Sequence, residues 1–116
     1  MYAVEGLKRN VWIASGTTVG GVRRYGAPVL HRWNWRAMAS SVDMMTFGPE
    51  YRDYRRAATV NAEIAGVKRL DRVWMDTTPS NMADPLAKDA DFYILSVDAG
   101  AGGYADVTFK RLSPDA

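Results

Sequence analysis

His31 is the only histidine among the 116 residues, and the chain has no cysteine. These two counts limit catalysis at once. A thiol nucleophile, a disulfide and a cysteine-based zinc site are excluded. A Ser-His-Asp relay would have to use His31, but no Gly-x-Ser-x-Gly segment exists to present the serine. A metal site would have to combine His31 with carboxylates alone. With no second group pointing to such a site, His31 reads as a strand histidine packed beside Trp33.

Asp71, Asp76, Asp84, Asp89, Asp91 and Asp98 form an acidic stretch. Paired carboxylates can serve as acid and base or hold a hard cation. The Asp-x-Asp-x-Asp-Gly run of a calcium loop is missing, so Asp84, Asp89 and Asp91 read as loop and turn residues. Two glycine clusters, Gly20-Gly21 and Gly100-Ala101-Gly102-Gly103, lack the lysine and Ser/Thr of a phosphate-binding loop. They read as flexible connections. No constellation supports an enzyme, and none asks for a cofactor or a metal.

What remains is electrostatic. Arg32 and Arg36 flank Trp33 and Trp35. Aromatic stacking combined with basic contacts suits single-stranded nucleic acid. On a strand, however, both tryptophans share one face, which is most simply a core face. Net charge is only +2, but it is uneven: residues 1–36 carry six Lys/Arg against Glu5, and residues 37–116 carry nine against twelve Asp/Glu. Such asymmetry marks either a polyanion-facing arm or a solvated basic surface. Arg23, Arg24, Arg32 and Arg36 are the candidate contacts to DNA, to a channel or between subunits.

The elements that position these residues are mostly strands. Tyr2 to Leu7 and Asn10 to Ser15 have strand character. Gly16 to Gly21 reads as a turn or loop, and Val19 to Pro28 as an extended, glycine-rich basic arm. From Val29 to Ala37 the alternation is clear: Val29, His31, Trp33 and Trp35 share one face, and Leu30, Arg32, Asn34 and Arg36 share the other. Pro49 to Arg56 suits a helical turn or a loop, followed by a strand from Arg56 to Ala65. Leu70 to Asp76 is a strand with imperfect alternation. Thr77 to Pro85 is loop, Ala90 to Asp98 a buried strand, Tyr104 to Leu112 the last strand, and residues 113–116 a tail. Six or seven short strands with long loops predict a mainly β fold, a small barrel or sandwich with little helix.

The length fits one domain, divided into an N-terminal strand and arm over residues 1–28 and a β core over 29–112. Nearly half the residues are apolar, enough for a core. The first nine residues lack the apolar run of a signal peptide. The longest uncharged run, Asn10 to Val22, has 13 residues and is too polar to span a bilayer. The expectation is a protein made in a reducing cytoplasm, with no membrane partner.

Several segments occur in a telling order: Tyr25-Gly26-Ala27-Pro28, Trp33-Asn34-Trp35, Phe47-Gly48-Pro49-Glu50, then Asp71-Arg72-Val73-Trp74 before a Pro79 loop. Ala90-Asp91-Phe92 with Ile94 and Val97 precedes the final strand. Over residues 25–112 this resembles the small head–tail connector proteins of tailed bacteriophages, in particular the stopper or head-closure group. The resemblance implies a small β-barrel without enzymatic activity that forms a six- or twelve-fold homo-oligomeric ring in the virion neck. It would sit between a portal or adaptor ring and the tail terminator or tail tube, made in the host cytoplasm. It would face packaged double-stranded DNA without reading its sequence. Arg23, Arg24, Arg32 or Arg36 facing the channel would then form rings of positive charge. Two other readings stay open. One is a tail terminator, minor capsid or tail-tube protein, which shares the ring and differs in its neighbours. The other is a small nucleic-acid-binding barrel acting alone through Trp12, Trp33, Trp35 and the arginines.

Overall fold

The computed structural model describes residues 8–37, 45–46 and 48–112. The strand expected over Tyr2–Leu7 and the tail over 113–116 lie outside the described residues. Within them the chain forms eight strands: β1 (Arg9–Ala14), β2 (Gly16–Val19), β3 (Val22–Tyr25), β4 (Val29–Ala37), β5 (Tyr54–Val60), β6 (Arg72–Trp74), β7 (Phe92–Ala99) and β8 (Tyr104–Arg111). Six of them close an antiparallel barrel in the order β1-β4-β5-β8-β7-β6. The protein is thus mainly β, a small barrel. Because β1 is one of its staves, the core includes Arg9–Ala14 and is not confined to residues 29–112. No described helix is long and apolar enough to cross a membrane.

Inward positions follow from the strand period of two. Val11 and Ile13 of β1, Trp33 and Trp35 of β4, Ala57 of β5, Val73 of β6, Phe92 and Ile94 of β7, and Val107 and Phe109 of β8 fill the interior. Trp33, Phe92 and Phe109 are almost wholly buried. Trp33 lies beside His31, with ring centroids 5.0 Å apart, as the alternation predicts. Burial lowers the His31 pKa, partly offset by the charge of Glu63. One end of the barrel is closed by cations. Arg9 and Arg55 lie over Trp35, and Arg55 and Arg111 over Phe92, at 4.6–5.0 Å. Asp76 fixes this cap by accepting two hydrogen bonds from Arg55, at 2.6 and 2.9 Å.

The expected glycine-rich arm is instead a hairpin. β2 and β3 pair over their full length. Gly20 and Gly21, at φ 57° and 80°, make the two-residue left-handed turn that matches strand twist. The hairpin is anchored at Gly16, where an added Cβ would stand 2.7 Å from the Tyr25 ring and 2.8 Å from Arg23.

Two other strands differ from the sequence reading. β5 starts at Tyr54 and stops at Val60, where a 3-10 turn (Asn61–Ile64) takes over and brings Ile64 to the core from outside the ladder. β6 has only three residues, and both its faces are covered. Val73 points into the barrel, while Trp74 packs outside it with Ala14, Tyr25 and Ala87. Two-sided burial explains the imperfect alternation over Leu70–Asp76.

Candidate functional site

The alternation that buries Trp33 and Trp35 turns Arg32, Asn34 and Arg36 outward on β4. Antiparallel pairing with β5 then sets Arg36 directly opposite Arg56, and Asn34 opposite Ala58. Arg56 stands 4.0 Å from Asp106 on β8. A shallow depression of about 280 Å³ lies over this patch, bordered by Asn34, Arg36, Arg56 and Asp106. A larger cleft of about 400 Å³ adjoins it and is lined by Lys8, Arg32, Trp33, Glu63 and Tyr104 with residues 58–60. Arg32 reaches toward the N-terminal end of β1, donating a hydrogen bond to the Lys8 carbonyl at 3.3 Å. Lys8, Arg32, Arg36 and Arg56 therefore share one wall of the barrel with two carboxylates, Glu63 and Asp106. Two guanidinium groups facing each other across a ladder raise the potential of this wall and favour an anionic partner.

The four arginines picked from the sequence do not form one site. Arg23 turns back toward the chain. Its guanidinium stands 3.7 Å from the Asp71 carboxylate and over the Tyr25 ring. Arg24 is exposed on the hairpin, opposite Thr17. Only Arg32 and Arg36 lie together, and the structure adds Arg56 and Lys8 to them. Cross-strand register decides that grouping, and no local pattern announces it. Trp33 and Trp35 are 1% and 6% exposed, so neither ring offers a face to a nucleic-acid base.

The acidic stretch is structural in its detail. Asp71 is fully buried and accepts hydrogen bonds from the N–H groups of Gly16 (3.1 Å) and Lys68 (2.9 Å). Asp91 accepts from the N–H groups of Met75 and Asp76, both at 2.9 Å. Asp89 accepts from Ser80 N–H and hydroxyl, both at 2.7 Å, and from Trp74 Nε1 at 3.0 Å. Burial pushes the Asp89 carboxyl up, but these hydrogen bonds outweigh it and hold its pKa below the usual range. Asp84 is likewise lowered by the N–H groups of Lys88 and Leu86. Among the described residues no group of three or more His, Asp and Glu stands close enough to hold a metal ion.

The Asp-Arg-Val-Trp run now has a physical account. Asp71 anchors the hairpin base, Arg72 lies 5.1 Å from the Tyr25 ring centroid, Val73 fills the core and Trp74 seals the outer cluster. Comparison with family models, with curated proteins and with solved structures finds no match to this chain.

Proposed function

We propose that the chain is a structural assembly protein of the phage neck. In this reading it forms a ring between portal or adaptor and tail, closes the DNA-filled head and joins the tail. The reading starts from the sequence resemblance and is supported by one observation above others, the segregation of charge on the barrel. The β4–β5 wall carries Lys8, Arg32, Arg36 and Arg56 against Glu63 and Asp106. The loop over β1 and β6 carries Asp84, Asp89 and Asp91 against Lys88 and exposes Met82 and Leu86, while Asp76 at its start is paired with Arg55 and Arg111. A head-to-tail ring needs two different surfaces on each subunit, and these two have opposite charge. Cations left at the channel would hold DNA through phosphates alone.

A second reading, a free monomer that binds nucleic acid, is favoured by the same basic wall. With Trp33 and Trp35 buried it would rest on phosphate contacts without stacking.

Mass photometry of the purified protein, alone and with duplex DNA at low and moderate salt, separates the two. Discrete rings, or a DNA-indifferent monomer that assembles only on a partner ring, support the neck protein. A monomer that binds DNA tightly and loses it with salt overturns it.

A further inference from the structure

The β2–β3 hairpin is fixed at its base and bare along its outer face. Gly16 N–H donates to Asp71, Tyr25 N–H donates to the Pro85 carbonyl, and Lys68 Nζ donates to the Gly16 carbonyl. Alternation then divides the ribbon into two faces. Tyr25 and Arg23 turn toward the barrel, where Tyr25 is buried and Arg23 meets Asp71. Thr17, Val19, Val22 and Arg24 share the other face and all are exposed, Val19 and Val22 by 62% and 48%. A two-stranded ribbon is only marginally stable in water by itself, and this one turns its apolar pair away from the barrel.

The outer face of β5, β8 and β7 repeats this pattern with the charge reversed. Val60 and Tyr104 are a cross-strand pair, both half-exposed. Two residues along, on the same face, Ala58 stands beside Asp106, and Asp106 beside Asp98. Carboxylates directly opposed across a ladder cost stability. Arg56 stands 4.0 Å from Asp106. Asp98 is exposed and has no ion pair or side-chain hydrogen bond among the described residues, and the same holds for Arg24 on the hairpin. Each surface thus has an apolar cross-strand pair and, about 7 Å along the strand, a row with a charge that its own chain leaves unmatched. One molecule cannot join them. The hairpin base is held beside β1 and β6, and β8 lies three strands from β1 in either direction around the closed barrel.

We propose that the hairpin of one copy docks its outer face on the β5–β8–β7 wall of the next copy. Val19 and Val22 cover Val60 and Tyr104, and Arg24 pairs with Asp98. The inference rests on the ring reading and names its contact. Both surfaces adjoin those already assigned to the ring: Pro85, bonded to the hairpin, belongs to the acidic loop, and Tyr104 and Asp106 border the basic wall. Because the two faces differ, the contact is head-to-tail, and the rotation from copy to copy closes it into a ring. A contact of this size is weak between two copies. Ring closure strengthens it, because each copy is then held on both sides.

The test is sedimentation velocity of the full chain at low salt, over a concentration series that reaches the high micromolar range. The parent should associate beyond a dimer. Arg24→Asp and Asp98→Arg should each weaken association about tenfold, because like charges then meet across the contact. An equal mixture of the two variants should restore association, and so should the double variant, because opposite charges meet again. Both side chains are exposed and unpaired within their own chain, so the unfolding midpoint should not fall in either variant. Association that neither variant weakens, or that the mixture fails to restore, overturns the proposal and leaves the ring to another surface. Assembly that stops at a dimer overturns it too, since a two-fold contact uses one surface twice. A chain that stays monomeric throughout also overturns it, and duplex DNA then judges the ring reading separately: a DNA-binding monomer sinks both, a DNA-indifferent one only this contact.

Discussion

The barrel wall is thin in two places, and the chain treats them in opposite ways. At β6 the wall is three residues long and pairs with only two residues of β7. Carboxylates from adjoining loops make up the difference: Asp91 takes the N–H groups of Met75 and Asp76, and Asp71 takes those of Gly16 and Lys68. At the β4–β5 opening the ladder stops after Asn34 and a cleft of about 400 Å³ remains, lined by Lys8 and Arg32 together with Glu63 and Tyr104. The first place is closed from within. The second is left as a cleft lined by both signs of charge.

Breaking the closed place has the largest effect. Asp71→Ala leaves two backbone N–H groups of its fully buried site without an acceptor and removes the partner of Arg23. The expected loss is about 3–5 kcal/mol, a large share of the roughly 5–15 kcal/mol that stabilises a small domain. Urea unfolding followed by tryptophan fluorescence should show it, with the hairpin amides of residues 16–25 losing exchange protection first. Asp91→Ala removes one acceptor shared by two N–H groups on a half-buried loop, and about 2 kcal/mol is expected. A change of under half a kcal/mol for either would mean that water replaces the carboxylate and that β6 is not held as described.

Asp76→Asn probes the cap at the end of the barrel, where the smaller share of about 1 kcal/mol follows from the exposure of Asp76. The hydrogen bonds from Arg55 hold the Asp76 carboxyl below its ordinary value, with the charges of Arg55 and Arg111 adding to them. Its contribution is therefore fully present above the ordinary carboxylate range and is lost as pH falls through the lowered value. The two proteins should differ in urea midpoint at neutral pH and converge in acid. A difference that persists unchanged into acid would assign the effect to packing instead of charge.

The fold was legible where one face is buried and the other wet. Val29–Ala37 shows that alternation, and β4 matches it end to end. β6 was harder because Val73 and Trp74 are buried on opposite faces, which erases the period. The hairpin was hidden because its turn consists of two glycines, which read equally as a flexible arm. Of the candidate site, the outward placement of Arg32 and Arg36 follows from sequence. Their grouping with Arg56 and Lys8 does not, because it depends on register between strands some twenty residues apart. The anchoring role of Asp71 was invisible for a related reason: its donors come from Gly16, far along the chain, and from Lys68 across a tight turn.

Arg36→Glu tests the open place with the smallest effect and the opposite sign. Arg36 sits directly across the ladder from Arg56, and like charges so placed cost stability. Reversing one of them should raise the unfolding free energy by about 0.2–1 kcal/mol at low salt, and the gain should fade as salt screens the pair. The same variant should bind duplex DNA more weakly than the parent at low salt. Stabilisation together with weaker binding is the signature of a wall whose charge is kept for a partner at the expense of the barrel. Unchanged DNA binding would mean that this wall does not carry the phosphate contacts, whatever the sign of the stability change.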